Sequence, residues 1–162
     1  MTKQINLTQG KVAILDDEQF ARCGNVKWYA LRAYKKGVEL WYAARGYNGS
    51  TQYLHRVIMD APKGITVDHI NGNGLDCRKK NMRLCSQKDN RRNSRGHFNR
   101  ASKYKGVSIS HNYFPVKYSA TVAGKFIGLF KTEIEAARAY NKVALEKFGE
   151  YARLNEFPKG EK

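Results

Sequence analysis

From residue 67 to residue 76 the chain reads Val-Asp-His-Ile-Asn-Gly-Asn-Gly-Leu-Asp. Ile-Thr-Val at residues 65–67 predicts a short strand, and residues 71–76 predict a loop because asparagine, glycine and aspartate favour turns. Neighbouring residues of a strand face opposite sides, so Asp68 and His69 can share one site only where the strand twists. The glycine-containing loop directly after them favours such a twist at the strand end.

The residues after this loop predict a second strand and then a helix. Asn-Met-Arg-Leu at residues 81–84 is the predicted strand, and Ser86 with Asp89 forms a capping-box pattern that opens a helix ending near Ser94. The local order is therefore strand, loop, strand, helix. Asn90 lies one turn into this helix, where asparagine has poor propensity, which indicates a role other than helix formation.

Asp68, His69 and Asn90 together suit hydrolysis of a phosphodiester. That reaction needs a base to take a proton from water and positive charge beside the phosphate. His69 is the predicted base, while the Asp68 carboxylate and the Asn90 amide oxygen are the predicted ligands of one divalent cation. Because both ligands are hard oxygens, we expect Mg²⁺, with Mn²⁺ as an alternative, and no structural zinc.

About forty residues here resemble the HNH endonucleases of phage and intron homing type. The matching motifs are Leu-His-Arg at 54–56, Val-Asp-His-Ile-Asn-Gly-Asn at 67–73, Asn-Met-Arg-Leu at 81–84 and Gln-Lys-Asp-Asn at 87–90. The resemblance implies a ββα-metal fold that spans residues 53–94. Some members carry a histidine ligand at the last position, and the asparagine found here leaves the metal preference more open.

The same resemblance implies roles for individual residues. His69 would be the general base, and Asp68 and Asn90 would bind the metal. Asn81 would brace the loop between the strands by hydrogen bonds to backbone. His55 would either pack structurally or touch the phosphate, and these two alternatives stay open.

The composition favours a nucleic-acid partner. The 162 residues include 30 Lys and Arg against 14 Asp and Glu, a net charge of +16 that attracts polyanions. A membrane surface is the rival, but the most basic stretch is rich in Asn and Ser and predicts no amphipathic helix. Without an apolar run of about 18 residues or a signal-like N-terminus, we expect an intracellular protein that is not secreted. Cys23, Cys77 and Cys85 form no C-x-x-C pair, so reduced thiols are expected.

Basic residues overlap the predicted site and continue after it. A charge run is often only a solvated surface, but here it lies where the backbone of double-stranded DNA would have to bind. The predicted backbone contacts are Arg56, Arg83, Lys88, Arg91, Arg92, Arg95, Arg100, Lys103 and Lys105.

Residues 1–50 and the C-terminal third both predict β structure. Residues 26–34 and 38–45 form a predicted hairpin connected by Lys-Lys-Gly at 35–37. Two short helices are predicted, at residues 16–23 and 52–59. In the C-terminal third we expect three strands followed by a helix, at residues 104–110, 116–122, 125–130 and 133–148.

The C-terminal segment resembles the ethylene-response-factor (Apetala) DNA-binding domain of plants over about fifty-five residues. The resemblance rests on residues 102–107, 136–141 and 148–155, and it implies a three-stranded antiparallel sheet, packed on one helix, that enters the major groove. Plant members crowd arginine and tryptophan on that face, whereas this chain has serines and a few lysines, so we expect a different target. The predicted reading face consists of Lys105, Ser108, Ser110, Lys117, Ser119 and Thr121.

We therefore predict an α+β protein in which a β-rich N-terminal region leads into a ββα-metal core. The predicted domains are a nuclease at 1–95, a linker at 96–101 and a DNA-binding domain at 102–157. The predicted function is a metal-dependent DNA endonuclease that nicks as a monomer or acts as a weak dimer, without an obligate protein partner. The alternatives are a DNA-binding regulator with an inactive core and an RNA-binding protein.

Overall fold

A computed structural model describes residues 1–35, 38–94, 102–112, 114–158 and 160. The chain divides into two compact units, Met1–Arg91 and Arg92–Lys162. Both contain small antiparallel sheets and few helices, which confirms the predicted α+β class. Among the described residues, no helix is long and apolar enough to cross a membrane. The predicted linker at 96–101 lies outside the described residues.

The described residues up to Arg92 form seven strands and three α-helices. The strands are β1 (Thr2–Asn6), β2 (Val12–Asp16), β3 (Tyr29–Lys35), β4 (Val38–Tyr47), β5 (Ser50–Tyr53), β6 (Thr66–His69) and β7 (Met82–Cys85). The helices are α1 (Asp17–Cys23), α2 (Leu54–Ile58) and α3 (Gln87–Arg92). Three separate sheets form, with strand orders β1-β2, β3-β4-β5 and β6-β7.

The predicted hairpin of the N-terminal region is present as β3 and β4, which pair from Tyr29 opposite Ala44 to Lys35 opposite Val38. The helix predicted at residues 52–59 begins only at Leu54, because Ser50–Tyr53 is a third strand paired with β4. Gln52 lies opposite Arg45 and accepts a hydrogen bond from its Nε at 2.7 Å, and this cross-strand contact keeps the residue in the sheet.

One core joins the N-terminal sheets to the β6-β7 hairpin. Leu15 and Trp28 from the N-terminal region pack in the same buried cluster as Leu54, Val67 and Met82. The N-terminal β region therefore contributes most of the apolar surface of this core. A short hairpin and two short helices could not form such a core alone.

The second unit consists of three strands and one long helix. These are β8 (Val107–Ser110), β9 (Lys117–Val122), β10 (Lys125–Phe130) and α4 (Glu133–Phe148), with strand order β10-β9-β8. Helix α4 has the bounds that the sequence predicted and begins with a capping box between Thr132 and Glu135. Its buried stripe includes Ala137, Tyr140 and Ala144.

Asn155 joins the C-terminal tail to both the helix and the start of the sheet. Its backbone N–H donates to Asn141 Oδ1 at 2.7 Å, and Asn141 Nδ2 donates back to the Asn155 carbonyl at 2.9 Å. Its own amide accepts from the Lys105 N–H at 2.7 Å and donates to the Lys105 carbonyl at 3.1 Å. These four hydrogen bonds hold the tail against the rest of the unit without regular secondary structure.

Gly106 permits the close contact between the sheet and helix α4. Its φ is +75°, and a Cβ at this position would lie 2.1 Å from the Tyr140 ring and 2.6 Å from the Thr121 carbonyl oxygen. Any side chain here must displace the buried Tyr140 ring or the backbone of β9.

We expect Gly106→Ala to lower the free energy of unfolding by about 2 kcal/mol or more, because it combines overpacking with a left-handed backbone. Gly124→Ala is the matched control, since Gly124 has a φ of +80° but open space around its Cβ position. Urea unfolding of both variants checks this, and equal losses would mean that the clash with Tyr140 adds nothing.

Candidate active site

The β6-β7 hairpin places Asp68 and His69 at the end of one strand. The pairing is regular, with Asp68 opposite Arg83 and His69 opposite Met82. The twist that we predicted at the strand end, and with it a shared site for the two side chains, stays a prediction. Along a regularly paired strand, neighbouring side chains point to opposite sides of the hairpin, and both residues lie at the terminus of β6.

The Asp68 carboxylate is buried and holds the Arg83 guanidinium. Arg83 Nε and Nη2 donate to the Asp68 Oδ2 atom at 2.9 and 2.8 Å. The Asp68 side chain is only 5% exposed and that of Arg83 only 11%. A buried carboxylate needs such compensation for its lost hydration. The guanidinium of Arg83 is mostly buried against Asp68, which favours a structural role, and its predicted contact with DNA stays a prediction.

His69 lies in a cluster of rings on the other face. Its ring centroid is 5.1 Å from that of His55, with the planes at 82°, and 6.2 Å from that of Tyr42. Burial lowers the pKa of His69 to about 4, although the nearby Asp68 and Asp76 carboxylates act in the opposite direction. The imidazole is therefore neutral at pH 7, which is the form that a general base requires.

His55 is enclosed by aromatic side chains and is 9% exposed. Its ring centroid is 5.6 Å from that of Tyr42 and 5.4 Å from that of Tyr53. Burial, together with the neighbouring His69 and Arg56, lowers its pKa to about 3. Of the two roles that the sequence left open, this burial favours packing against His69 over contact with a phosphate.

Asn81 connects the two sides of the loop between β6 and β7. Its Nδ2 donates to the Asp76 carbonyl at 2.8 Å and to Asn71 Oδ1 at 3.1 Å, and its Oδ1 accepts from the Asn71 N–H at 3.1 Å. Asn81 is 8% exposed, so these bonds are shielded from water. Because the loop runs directly out of His69, they also limit how far the end of β6 can move.

Asp76 and Arg78 complete this network, and the sequence analysis assigned neither of them a role. Both oxygens of the buried Asp76 carboxylate accept from Arg78, at 2.7 and 2.6 Å, and Oδ2 also accepts from Asn71 Nδ2 at 2.9 Å. Hydrogen bonds from Arg78 hold the pKa of Asp76 below its ordinary value. In the sequence this pair is visible only as an aspartate two residues before an arginine at the end of a loop, and that pattern is too common to predict a functional role.

The loop is also bound to the N-terminal sheet by backbone hydrogen bonds. The Ile14 N–H donates to the Leu75 carbonyl at 2.9 Å, and the Cys77 N–H donates to the Ile14 carbonyl at 2.8 Å. The loop also approaches β4 closely at Gly74, where a Cβ would lie 2.5 Å from the Trp41 carbonyl oxygen. The N-terminal region thus positions the loop as well as filling the core.

Arg56 braces a different turn. Its guanidinium donates to the carbonyls of Ile65, Ala61 and Pro62 at 2.7, 3.0 and 2.8 Å. These carbonyls precede β6, so Arg56 supports the entry into the strand that carries Asp68. The contacts favour this structural role over the phosphate contact that we predicted.

Asn90 lies in α3, which follows directly on β7. Its backbone N–H donates to the Ser86 carbonyl at 3.0 Å, and its side chain is half-buried. The described residues contain no group of three or more His, Cys, Asp and Glu that could hold a metal ion. The two ligands that the sequence predicted, the Asp68 carboxylate and the Asn90 amide oxygen, are hard oxygen donors of the kind that suits a cation retaining several of its own waters.

The remaining predicted DNA contacts differ in their surroundings. Lys88 and Arg91 are exposed on α3, and Arg92 is half-buried with its guanidinium 4.6 Å from the centroid of the Phe148 ring. Lys103 Nζ lies 5.1 Å from the centroid of the Tyr104 ring, and Lys105 Nζ donates to the Arg92 carbonyl. Arg95 and Arg100 lie outside the described residues.

The outer face of the β8-β9-β10 sheet carries the other predicted contacts. Val107, Ala120 and Val122 are buried towards helix α4. Since side chains alternate along a strand, the residues between them face outward. This outer face contains Ser108, Ser110, Lys117, Ser119 and Thr121, together with Phe126 and Leu129, which the sequence analysis did not select.

Comparison with known proteins agrees with the geometry of the first unit. A model of the HNH endonuclease family matches residues 52–92, the segment that contains α2, the β6-β7 hairpin and α3. An uncharacterized HNH endonuclease of Acanthamoeba polyphaga mimivirus is 32% identical over 141 residues, covering 80% of this chain and 71% of the relative. No solved structure gives a significant match. The chain belongs to the HNH endonuclease family.

The buried Asp76 makes the free energy of unfolding decrease at acid pH. Because its pKa is lowered in the fold, its contribution to the free energy of unfolding is complete at neutral pH and is lost as the pH falls through the folded pKa. We expect Asp76→Asn to cost about 2 kcal/mol at pH 7 and to flatten the loss of stability between neutral and acid pH.

Asp60→Asn is the matched control for this measurement. Asp60 is also paired with an arginine, Arg22, but both side chains are exposed, and such pairs contribute little. Urea unfolding of both variants between pH 7 and pH 3 checks the prediction. If Asp76→Asn and Asp60→Asn had equal effects, the buried network would not be the source of the acid sensitivity.

Proposed function

We propose that the protein is a divalent-metal-dependent DNA endonuclease of the homing type that nicks duplex DNA. Membership of the HNH endonuclease family supports nuclease activity in general terms. The observation that carries the specific proposal is the buried, neutral imidazole of His69 at a strand end, with the buried Asp68 carboxylate at the preceding position of β6. A base and a cation ligand at adjacent positions are what hydrolysis of a phosphodiester needs.

In this proposal His69 takes a proton from water as the water oxygen bonds to phosphorus. The bond to the 3′ oxygen breaks, which leaves a 5′ phosphate and a 3′ hydroxyl. A divalent cation, Mg²⁺ in preference to Mn²⁺, would supply positive charge to the phosphate and to the leaving oxygen. Because Asp68 and His69 face opposite sides of β6, the phosphate would approach along the strand terminus.

The other residues of the site act through these groups. Asp68 and Asn90 would hold the cation, with Arg83 orienting the carboxylate through its Oδ2 atom. His55 and Tyr42 pack on His69 and set the orientation of its ring. Asn81 holds the loop that leaves His69. His55, Arg83 and Asn81 are positioning residues in this account.

The exposed basic residues of α3 would bind the DNA backbone. Lys88 and Arg91 are exposed on the helix that also carries Asn90, so a phosphate bound there would lie near the cation ligands. We further propose that residues 102–157 form a DNA-binding domain similar to the Apetala type, joined to the nuclease at 1–95 through residues 96–101. One site per chain makes a single-strand nick by a monomer the simplest product.

A DNA-binding regulator with an inactive core is the second candidate. The observation that favours it is the Asp68–Arg83 ion pair, since a carboxylate already neutralised by arginine has less affinity for a cation. The two functions differ in one measurable property, which is whether metal-dependent cleavage accompanies DNA binding.

We expect the wild-type protein with Mg²⁺ or Mn²⁺ to convert supercoiled plasmid into open circles, and His69→Ala to lower the rate about 100-fold or more, because the base is removed. His111→Ala is the matched control, as His111 is exposed in the second unit. Gel analysis of the time course, with and without chelator, measures both rates.

Each outcome of the plasmid assay has a distinct meaning. Cleavage that survives His69→Ala would contradict the role of His69 as base. Linear product at early times would indicate paired sites and therefore a dimer. If no variant cuts plasmid or phage DNA although all bind it, the regulator is the better description.

We expect Lys88→Gln to reduce the salt dependence of DNA binding, because one phosphate contact fewer lowers the slope of log K against log salt by about 0.9. Lys142→Gln is the control, since Lys142 is exposed on α4. Anisotropy titrations over a range of salt concentrations, in chelator, measure the slopes. An unchanged slope in Lys88→Gln would remove α3 from the DNA surface.

A further inference from the structure

The outer face of the β8-β9-β10 sheet combines hydroxyl groups with two apolar side chains, the exposed Phe126 and the half-buried Leu129. Cross-strand partners share a face, and the register places Phe126 opposite Thr121 and Leu129 opposite Ser119. Phe126 is 58% exposed. An aromatic ring that stays in water forgoes the burial that would stabilise the fold, so its position calls for an explanation.

A bulge in β10 turns Phe126 outward. The register shifts between Phe126 and Gly128, and Ile127 packs against the core of this unit. One additional residue in the strand puts Phe126 and Leu129, which are three residues apart, on the same outer face, while Ile127 stays inside. The exposed ring is therefore built into the strand geometry.

The charge distribution of this unit favours a polyanion on the sheet. From residue 90 to residue 132 the sequence contains no Asp or Glu, and this stretch includes all three strands. Helix α4, which packs on the other side of the sheet, has no net charge, because Glu133, Glu135 and Glu146 are balanced by Arg138, Lys142 and Lys147. The charged residues of the three strands are lysines only. A nucleic acid would therefore meet the sheet side, where Lys117 lies among the hydroxyl groups.

The side chains of this face determine which base edges it can recognise. Guanine is read above all by arginine, and the sequence has no arginine from residue 101 to residue 132. Serine and threonine hydroxyls bond to any base, whereas apolar side chains contact the methyl group of thymine. Phe126 and Leu129 are the groups on this face that distinguish one base from another in that way.

We propose that the outer face of this sheet recognises the 5-methyl groups of pyrimidines in the major groove and so prefers duplexes rich in A·T pairs. The inference rests on the proposed binding of DNA by this unit and names its substrate class. Phe126 is the main specificity-determining residue, Leu129 adds a second apolar contact, and the hydroxyls and Lys117 hold the duplex without selecting bases.

The direct test removes only the methyl groups. The full chain, in chelator to prevent cleavage, is titrated by fluorescence anisotropy with an A·T-rich duplex and with the same duplex in which uracil replaces thymine. We expect the uracil duplex to bind more weakly, by about fourfold for each methyl group contacted, which is the value of one buried methylene. A G·C-rich duplex carrying 5-methylcytosine in place of cytosine should gain affinity by the same reasoning.

Phe126→Ala assigns the effect to this face. Because the ring is exposed, the variant should keep the wild-type thermal midpoint while binding the thymine and uracil duplexes nearly equally. Leu145→Ala is the matched control, since Leu145 is 53% exposed on α4 and should leave the discrimination unchanged.

Several results would overturn this inference. Equal wild-type affinity for the thymine and uracil duplexes would exclude methyl recognition while leaving DNA binding intact. Discrimination that survives in Phe126→Ala would place the methyl contacts elsewhere in the protein. If the wild type bound none of the duplexes, the failure would lie with the proposed DNA binding itself.

Discussion

The loop between β6 and β7 contains one short 3-10 helix, Lys79–Asn81, but no strand or α-helix, and the geometry of the site depends on how this loop is held. The buried carboxylate of Asp76 is central to this, since it binds Arg78 and Asn71 while its backbone carbonyl accepts from Asn81. In water these groups would be hydrated and the loop would sample many conformations. Inside the fold each needs a protein partner, and the set of partners permits few arrangements.

The same constraint reaches the N-terminal region. Backbone hydrogen bonds on either side of Asp76 join the loop to Ile14 in β2, and the core beneath includes Leu15 and Val67. A family segment of about forty residues could not bury enough apolar surface by itself. The N-terminal sheets supply that surface, and the exposed side of α3 is left available for charged residues.

Burial also sets the electrostatics of the site. The ring cluster around His69 buries the imidazole and keeps it neutral, while the Asp68 carboxylate on the opposite face is paired with Arg83. A neutral base next to a carboxylate thus arises from two different environments on the two sides of one strand. In the second unit the strands β8, β9 and β10 contain no acidic residue, whereas α4 contains three.

The sequence by itself determined the α+β class, the helix from Glu133 to Phe148 and the order of strand, loop, strand and helix, because capping boxes, turn residues and apolar periodicity act over a few neighbouring residues. Its motifs also indicated an HNH endonuclease. The strand at Ser50–Tyr53 and the Arg78–Asp76 pair were decided only by the tertiary structure. So were the protein partners of Arg56 and Arg83, which the sequence predicted as DNA contacts. A cation pairs with whichever carboxylate or carbonyl the fold buries beside it, and residues distant in sequence decide that.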